Sequence, residues 1–185
     1  MHARKFCRVE ISYCEHQSNT LLLVRTLIVV VEAGAAAYIA PYIRLLESSK
    51  SRKHHVLATE VAARKLNSLH VTSQTIIQRD TNECELREVL NGQEFEVFLL
   101  SATGSQVERA ALRIGKSRGA RTVCFVDAYT PFRPRFTHNG ELSFSDEILV
   151  IDDEMSVEAM QIGASKDSVK IVGQPAWENY LATQR

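Results

Sequence analysis

Apolar residues in this chain come in short blocks separated by polar, glycine-bearing breaks. Leu27–Val31 is a compact β-branched run, which suits a strand buried on both faces of a parallel sheet. Glu32-Ala33-Gly34 interrupts it. Ala36, Ile39, Ala40, Ile43 and Leu46 then recur at the spacing of one helical face and predict a helix to about Glu47. Pro41 fits that helix only if it lies in the first turn. Residues 1–25 carry no sustained period and read as an irregular N-terminal extension, leaving 26–185 as the folded domain.

The alternation then repeats. His55–Ala58 predicts a short strand, with Thr59 as N-cap of a helix through Leu69. Val71–Ile77 is the next strand, followed by a helix over Cys84–Leu90 that stops at Asn91-Gly92. Glu96–Leu100 is another apolar strand. Ser105-Gln106-Val107-Glu108 fits a capping box, opening a helix that carries Val107, Ala110, Ala111 and Ile114 on one face and ends at Gly119. Arg121–Val126 and Glu147–Ile151 predict two more strands, with the polar, proline-bearing stretch Asp127–Asp146 between them. A helix over Glu154–Ile162 and a strand over Val169–Val172 close the series. Strand and helix thus alternate at spacings of about 20–30 residues, which predicts right-handed crossovers. The fold class expected is α/β, a Rossmann-like doubly wound parallel sheet in a single domain.

Composition narrows the class of function. A chain of 185 residues can bury a full domain core. Lys+Arg and Asp+Glu both total 22, and a net charge of zero argues against a dedicated nucleic-acid binder. Cys7, Cys14, Cys84 and Cys124 are scattered without a CxxC pair, which favours a reducing, cytoplasmic setting over a disulfide framework or zinc site. The most apolar stretch, Leu21–Leu46, is interrupted by Arg25, Glu32 and Arg44, and its uncharged piece Ala33–Ile43 is too short to span a bilayer. Met1–Asn19 has no apolar core and does not read as a signal peptide. A soluble protein with at most peripheral membrane contact is expected.

Ligands of open α/β sheets bind beyond the carboxyl ends of the strands, so the loops after the strands are the candidates. The first, Glu32–Ala36, holds the single glycine Gly34 and lacks the GxGxxG dinucleotide fingerprint. The second, with Thr103, Gly104 and Ser105, places small residues at a helix N-terminus, where free N–H groups suit phosphate or carboxylate; the plainer alternative is that Ser105 only caps its helix. The third begins with Asp127, directly after a buried strand. Tyr129, Phe132 and Phe136 alternate there with Arg133 and Arg135, offering stacking surfaces beside cationic forks. The plainer alternative is aromatics packed on the domain edge beside solvated arginines. Asp152-Asp153-Glu154 reads as a helix cap, and no HExxH, GxSxG or Walker pattern occurs. No cofactor and no metal site is expected.

Several of these pieces carry a resemblance. Ser101–Ser105 with Glu108 at a helix entry is followed by Thr122–Ala128 and by the loop Tyr129, Arg133, Pro134, Arg135, Phe136. Ser145–Asp153 and Lys170–Trp177 come next. Together, Glu96–Leu181 resembles the second half of the N-terminal domain of GT-B type glycosyltransferases and related sugar-nucleotide proteins. Glu32–Leu46 is similar to the first loop and helix of that domain, without the doubled glycines or histidine often found there. The resemblance implies half of a GT-B architecture, an acceptor-side domain whose partners are a sugar-nucleotide donor and a phosphorylated or carbohydrate acceptor. It further implies a donor-binding domain or subunit, without which transfer is not expected. The activity it implies is that of a glycosyltransferase of cell-surface polysaccharide or glycoconjugate synthesis. Asp127 would orient or deprotonate an acceptor hydroxyl, with Arg133 and Arg135 holding an acceptor anion and the Gly34 and Gly104 loops lining the cleft. A non-catalytic Rossmann-like module, binding a phosphorylated small molecule or a protein, is one competing expectation; a small epimerase- or hydrolase-like enzyme complete in itself is another, against which the lack of a recognisable catalytic dyad counts.

Overall fold

The computed structural model describes residues 24–49 and 52–176. Seven parallel strands form one sheet, in the order β3-β2-β1-β4-β5-β8-β9. The chain starts at the centre with β1 (Val24–Val30), runs through helix α1 (Ala33–Ser48) to β2 (Arg52–Ala58), and continues through α2 (Glu60–Ser68) to the edge strand β3 (Thr75–Ile76). Helix α3 (Glu83–Val89) carries it back to β4 (Val97–Ser101), which pairs with the other side of β1. Helix α4 (Gln106–Ser117) leads to β5 (Arg121–Phe125). A short helix α5 (Phe132–Phe136) and an antiparallel hairpin, β6 (Thr137–His138) with β7 (Glu141–Leu142), precede β8 (Glu147–Val150). Helix α6 (Asp153–Gln161) and β9 (Val169–Ile171) complete the sheet.

The strand sequences explain this arrangement. Side chains alternate across a sheet, so an apolar residue at every position requires cover on both faces. Ile28 and Val30 pack with α1 and α2, whereas Leu27 and Val29 pack with α3, α4, α5 and α6. Tyr38 of α1 lies flat on Phe125 of β5, with ring centroids 5.2 Å apart and planes 3° from parallel. The strand order reverses between β1 and β4, which opens a crevice at their carboxyl ends.

Most of the expected elements are present, and four expectations change. Val71–Ile77 contributes only Thr75–Ile76 to the sheet, because an edge strand needs pairing on one side only. The stretch Asp127–Asp146, whose first part was expected as a loop, contains α5 and the hairpin. Pro41 sits in the middle of α1, not in its first turn. Its ring removes a helical hydrogen bond, a loss of about 3 kcal/mol in an exposed helix. Here Tyr38, Ile39, Ala40, Tyr42 and Ile43 around it are all buried, and that packing outweighs the loss. Lastly, Val24 and Arg25 of the expected extension open β1; residues 1–23 of it, and 177–185 at the other end, lie outside the described residues. Among the described residues no helix is long and apolar enough to cross a membrane.

Candidate functional site

Three post-strand loops converge at the carboxyl edge of the sheet. Asp127 follows β5, and its side chain is only 11% exposed. Gly34, in the first turn of α1, lies so close that a Cβ there would sit 2.9 Å from Asp127 Oδ2. Helix α1 therefore presents its first turn, which carries no side-chain cap, directly to the Asp127 carboxylate. On the other side Arg135 of α5 pairs with it, Nη1 to Oδ1 at 3.6 Å. The same guanidinium donates to Ala102 O at 2.6 Å and, through Nε, to Thr130 Oγ1 at 2.7 Å. Arg135 is thus fixed by the ends of two strands and by its own loop.

The residues after β9 close the back of this cleft. Gln174 donates from Nε2 to Asp127 O at 3.3 Å, which leaves its buried Oε1 without a donor. Tyr38 donates its hydroxyl to Gly173 O at 3.1 Å. Burial, reinforced by the charge of Asp127, raises the Tyr38 pKa well above the ordinary phenol value, so it serves as a donor and not as a phenolate. Tyr38 and Gln174 were not singled out by sequence. The signal available was the position of Tyr38 one helical turn after Gly34, on the same side of α1.

The loop from Ala102 to Ser105 behaves differently from a vacant phosphate cradle. Its N–H and hydroxyl donors turn inward onto Glu108, which is 5% exposed. Thr103 donates to Oε2 from N at 3.0 Å and from Oγ1 at 2.6 Å; Ser105 does so from N at 3.0 Å and from Oγ at 2.9 Å. Ser101 Oγ donates to Oε1. Ser105 also caps α4 by accepting from Glu108 N, completing the capping box. The chain's own carboxylate occupies the anion position at this helix N-terminus. Burial pushes the Glu108 pKa up, and the surrounding donors offset part of that shift.

Gly104 holds the loop against α5. Its φ is +76°, a left-handed conformation, and a Cβ would lie 3.1 Å from Pro134 O and 3.2 Å from Arg135 Cα, both backbone atoms. Gly104→Ala is expected to destabilise the fold by about 2–3 kcal/mol, combining left-handed strain with crowding of a backbone that cannot rotate away. Thermal unfolding should show a midpoint roughly 4–12 °C lower. A midpoint within a degree of the parent would mean that this contact does not hold the loop in solution.

The remaining candidates separate. Arg133 and Tyr129 are exposed, Tyr129 at 56%, and neither contacts Asp127. Tyr129 donates its hydroxyl to Asp152, the N-cap of α6. Phe132 and Phe136 are buried and pack with the α4 face of the core, so their rings are not stacking platforms for a ligand. Cys124 is buried beneath the sheet edge, and desolvation pushes its thiol up to about 12.

Comparison with solved structures now decides the architecture. The S. aureus MnaA–UDP complex superposes with a TM-score of 0.67 at 14% identity, over 86% of this chain and 48% of that one. A UDP-GlcNAc 2-epimerase from Neisseria meningitidis bound to UDP-GlcNAc gives 0.65 at 13% identity, over 87% and 50%. The glycosyltransferase of kitacinnamycin gives 0.60 at 11% identity, over 82% and 51%. The fold is GT-B-like. This GT-B-like domain spans about half the length of the structures it matches. No protein-family model and no curated protein sequence matches the chain.

Proposed function

We propose that this GT-B-like domain is the acceptor-side half of a sugar-nucleotide glycosyltransferase, in which Asp127 handles the proton of the reacting hydroxyl. The observation that carries the reading is the placement of Asp127: nearly buried, fixed by Arg135, and facing the uncapped first turn of α1 at the strand-order reversal. In the reaction the Asp127 carboxylate takes the proton of an acceptor hydroxyl. That oxygen bonds to the anomeric carbon of the donor sugar, and the nucleoside diphosphate leaves with the bonding electrons. Exposed Arg133, at the outer surface of α5, meets an anionic group on the acceptor. A donor-binding domain or subunit supplies the nucleotide contacts, and transfer requires it. Cell-surface polysaccharide or glycoconjugate synthesis in the cytoplasm is the setting we assign.

A second reading has its own support. Two of the structures described above are epimerase or UDP complexes, and an epimerase half would use Asp127 to move a proton at carbon without any acceptor. The test is to isolate the native gene product with its associated subunits and incubate it with UDP-sugars, with and without carbohydrate acceptors. Release of UDP that depends on acceptor supports the transferase. Acceptor-independent conversion of UDP-GlcNAc to its 2-epimer overturns it in favour of the second reading. Saturable binding of sugar nucleotide without turnover leaves a binding module.

A further inference from the structure

A second cavity, of about 270 Å³, lies between α4 and the β6–β7 hairpin. Neither Asp127 nor Gly34 borders it, so it is separate from the cleft described above. Its floor is carbon and sulfur: Leu100 and Cys124 from the sheet, Leu112 from α4, Phe136 from α5 and Leu142 from the hairpin. The polar groups around that floor are bonded within the chain. Ser101 donates to the Glu108 carboxylate, which Thr103 and Ser105 also saturate, and Ser145 donates from Oγ to Glu147 O at 2.6 Å. Arg109 donates from Nη1 to Thr137 O at 2.8 Å, and its unpaired Nε is sealed off from the cavity. The rim is different. Arg113, Glu141 and Ser143 are exposed there beside half-buried His138, so it offers a guanidinium and a carboxylate together.

Water in this cavity meets few free partners. A buried water ordinarily makes about three hydrogen bonds, and here the floor offers it carbon and groups bonded elsewhere. Displacing such water by an apolar body gains affinity. The rim decides the charge. A carboxylate gains from Arg113 but faces Glu141, an ammonium meets the reverse, and either one loses hydration on entering. A neutral molecule avoids both costs, and a hydroxyl on it is accommodated at the rim. Size sets the rest: a cavity of ~150 Å³ admits benzene, so this one has room for a substituted ring. We propose that the cavity binds a small neutral molecule with a ring or short alkyl body, the body over Leu100, Leu112 and Phe136 and its polar end at the rim. The site is independent of sugar transfer and gives the domain a second ligand class.

p-Cresol is the probe, with p-toluate and 4-methylbenzylammonium as anionic and cationic counterparts of matched shape. Titrations of the full chain are followed by backbone amide NMR. p-Cresol should saturate with a Kd of about 0.3–5 mM, the range for a ligand of this size, and shift residues 109–113 and 136–143. Each charged counterpart should bind about tenfold more weakly, because it loses hydration and meets a like charge at the rim. Ser143→Trp places an indole over the mouth from an exposed position, and should abolish the shifts while the thermal midpoint holds. Glu141→Gln, at an equally exposed position, should leave p-cresol unchanged and tighten p-toluate about threefold. Absence of p-cresol saturation by roughly 50 mM would overturn the proposal. So would a charged counterpart that binds as well as p-cresol, an unchanged p-toluate affinity in Glu141→Gln, or shifts that survive Ser143→Trp or centre on Gly34 and Asp127.

Discussion

Asp127→Asn is expected to lower the turnover of the complete enzyme by about 10²–10⁴-fold, the usual contribution of a positioned general base. The substitution keeps the size and planarity of the side chain but removes the negative charge and the ability to take a proton. Arg135 is held independently by Ala102 O and Thr130, so it stays in place when its ionic partner is lost. Gly34 leaves room for an amide in the same position, and the loop has no reason to rearrange. The KM should therefore change by less than about threefold while kcat falls. Initial rates over a range of substrate concentrations separate the two. Unchanged kcat would remove Asp127 from the chemistry, and a loss confined to KM would reduce it to a binding residue.

Glu108→Ala should be the most damaging single change to stability, at about 3–4 kcal/mol. Five donor groups converge on that carboxylate, and two of them are backbone N–H groups that cannot turn to solvent. Removing the acceptor leaves them buried and unpaired. Glu108→Gln is expected to cost only about 1 kcal/mol, because the amide oxygen can take the Oε2 position and the amide nitrogen can face Ser101 Oγ, whose hydroxyl also reaches Val29 O. Urea denaturation at constant slope measures both. The two variants also separate by pH. Burial raises the folded pKa of Glu108, so the native state keeps its proton to higher pH than the unfolded chain. That contribution to stability is complete below the unfolded carboxyl pKa and is lost as pH rises through the folded value. Stability of the parent should decline over that window, and the Gln variant should lose this part of the slope. An identical pH profile for the two would show that Glu108 does not titrate differently on folding.

The sequence carried the parallel sheet because its signals are local and redundant. Leu27–Val31 is apolar at every position, and Gly92 and Gly119 end their helices in left-handed conformations that other residues resist. Edge and insertion elements were harder to read. Thr75–Ile76 borrows its strand character from β2, and Phe132–Phe136 is helical despite Pro134 in its middle. The site was half legible for a related reason. As an extended loop, Arg133 and Arg135 would point the same way; on a helical turn they are about 200° apart, and only Arg135 reaches Asp127. Glu108 was visible as a capping-box residue, but that motif normally lies in solvent. Its burial follows from Ser101 and Thr103, whose inward direction is set by the strand before them.

The reversal of strand order also sets when the site can form. β1 pairs with β4 only after the whole β2–β3 excursion has been made, and the contact of Arg25 with Glu96 closes a separation of 71 positions. Loop closure over such a distance is slow compared with helix formation. Gly34 and Asp127 lie on either side of that closure, so no early, locally folded fragment brings them together. During synthesis the apolar edge of β1 waits unpaired until β4 has emerged, and that interval is when the chain is most exposed to association with other chains.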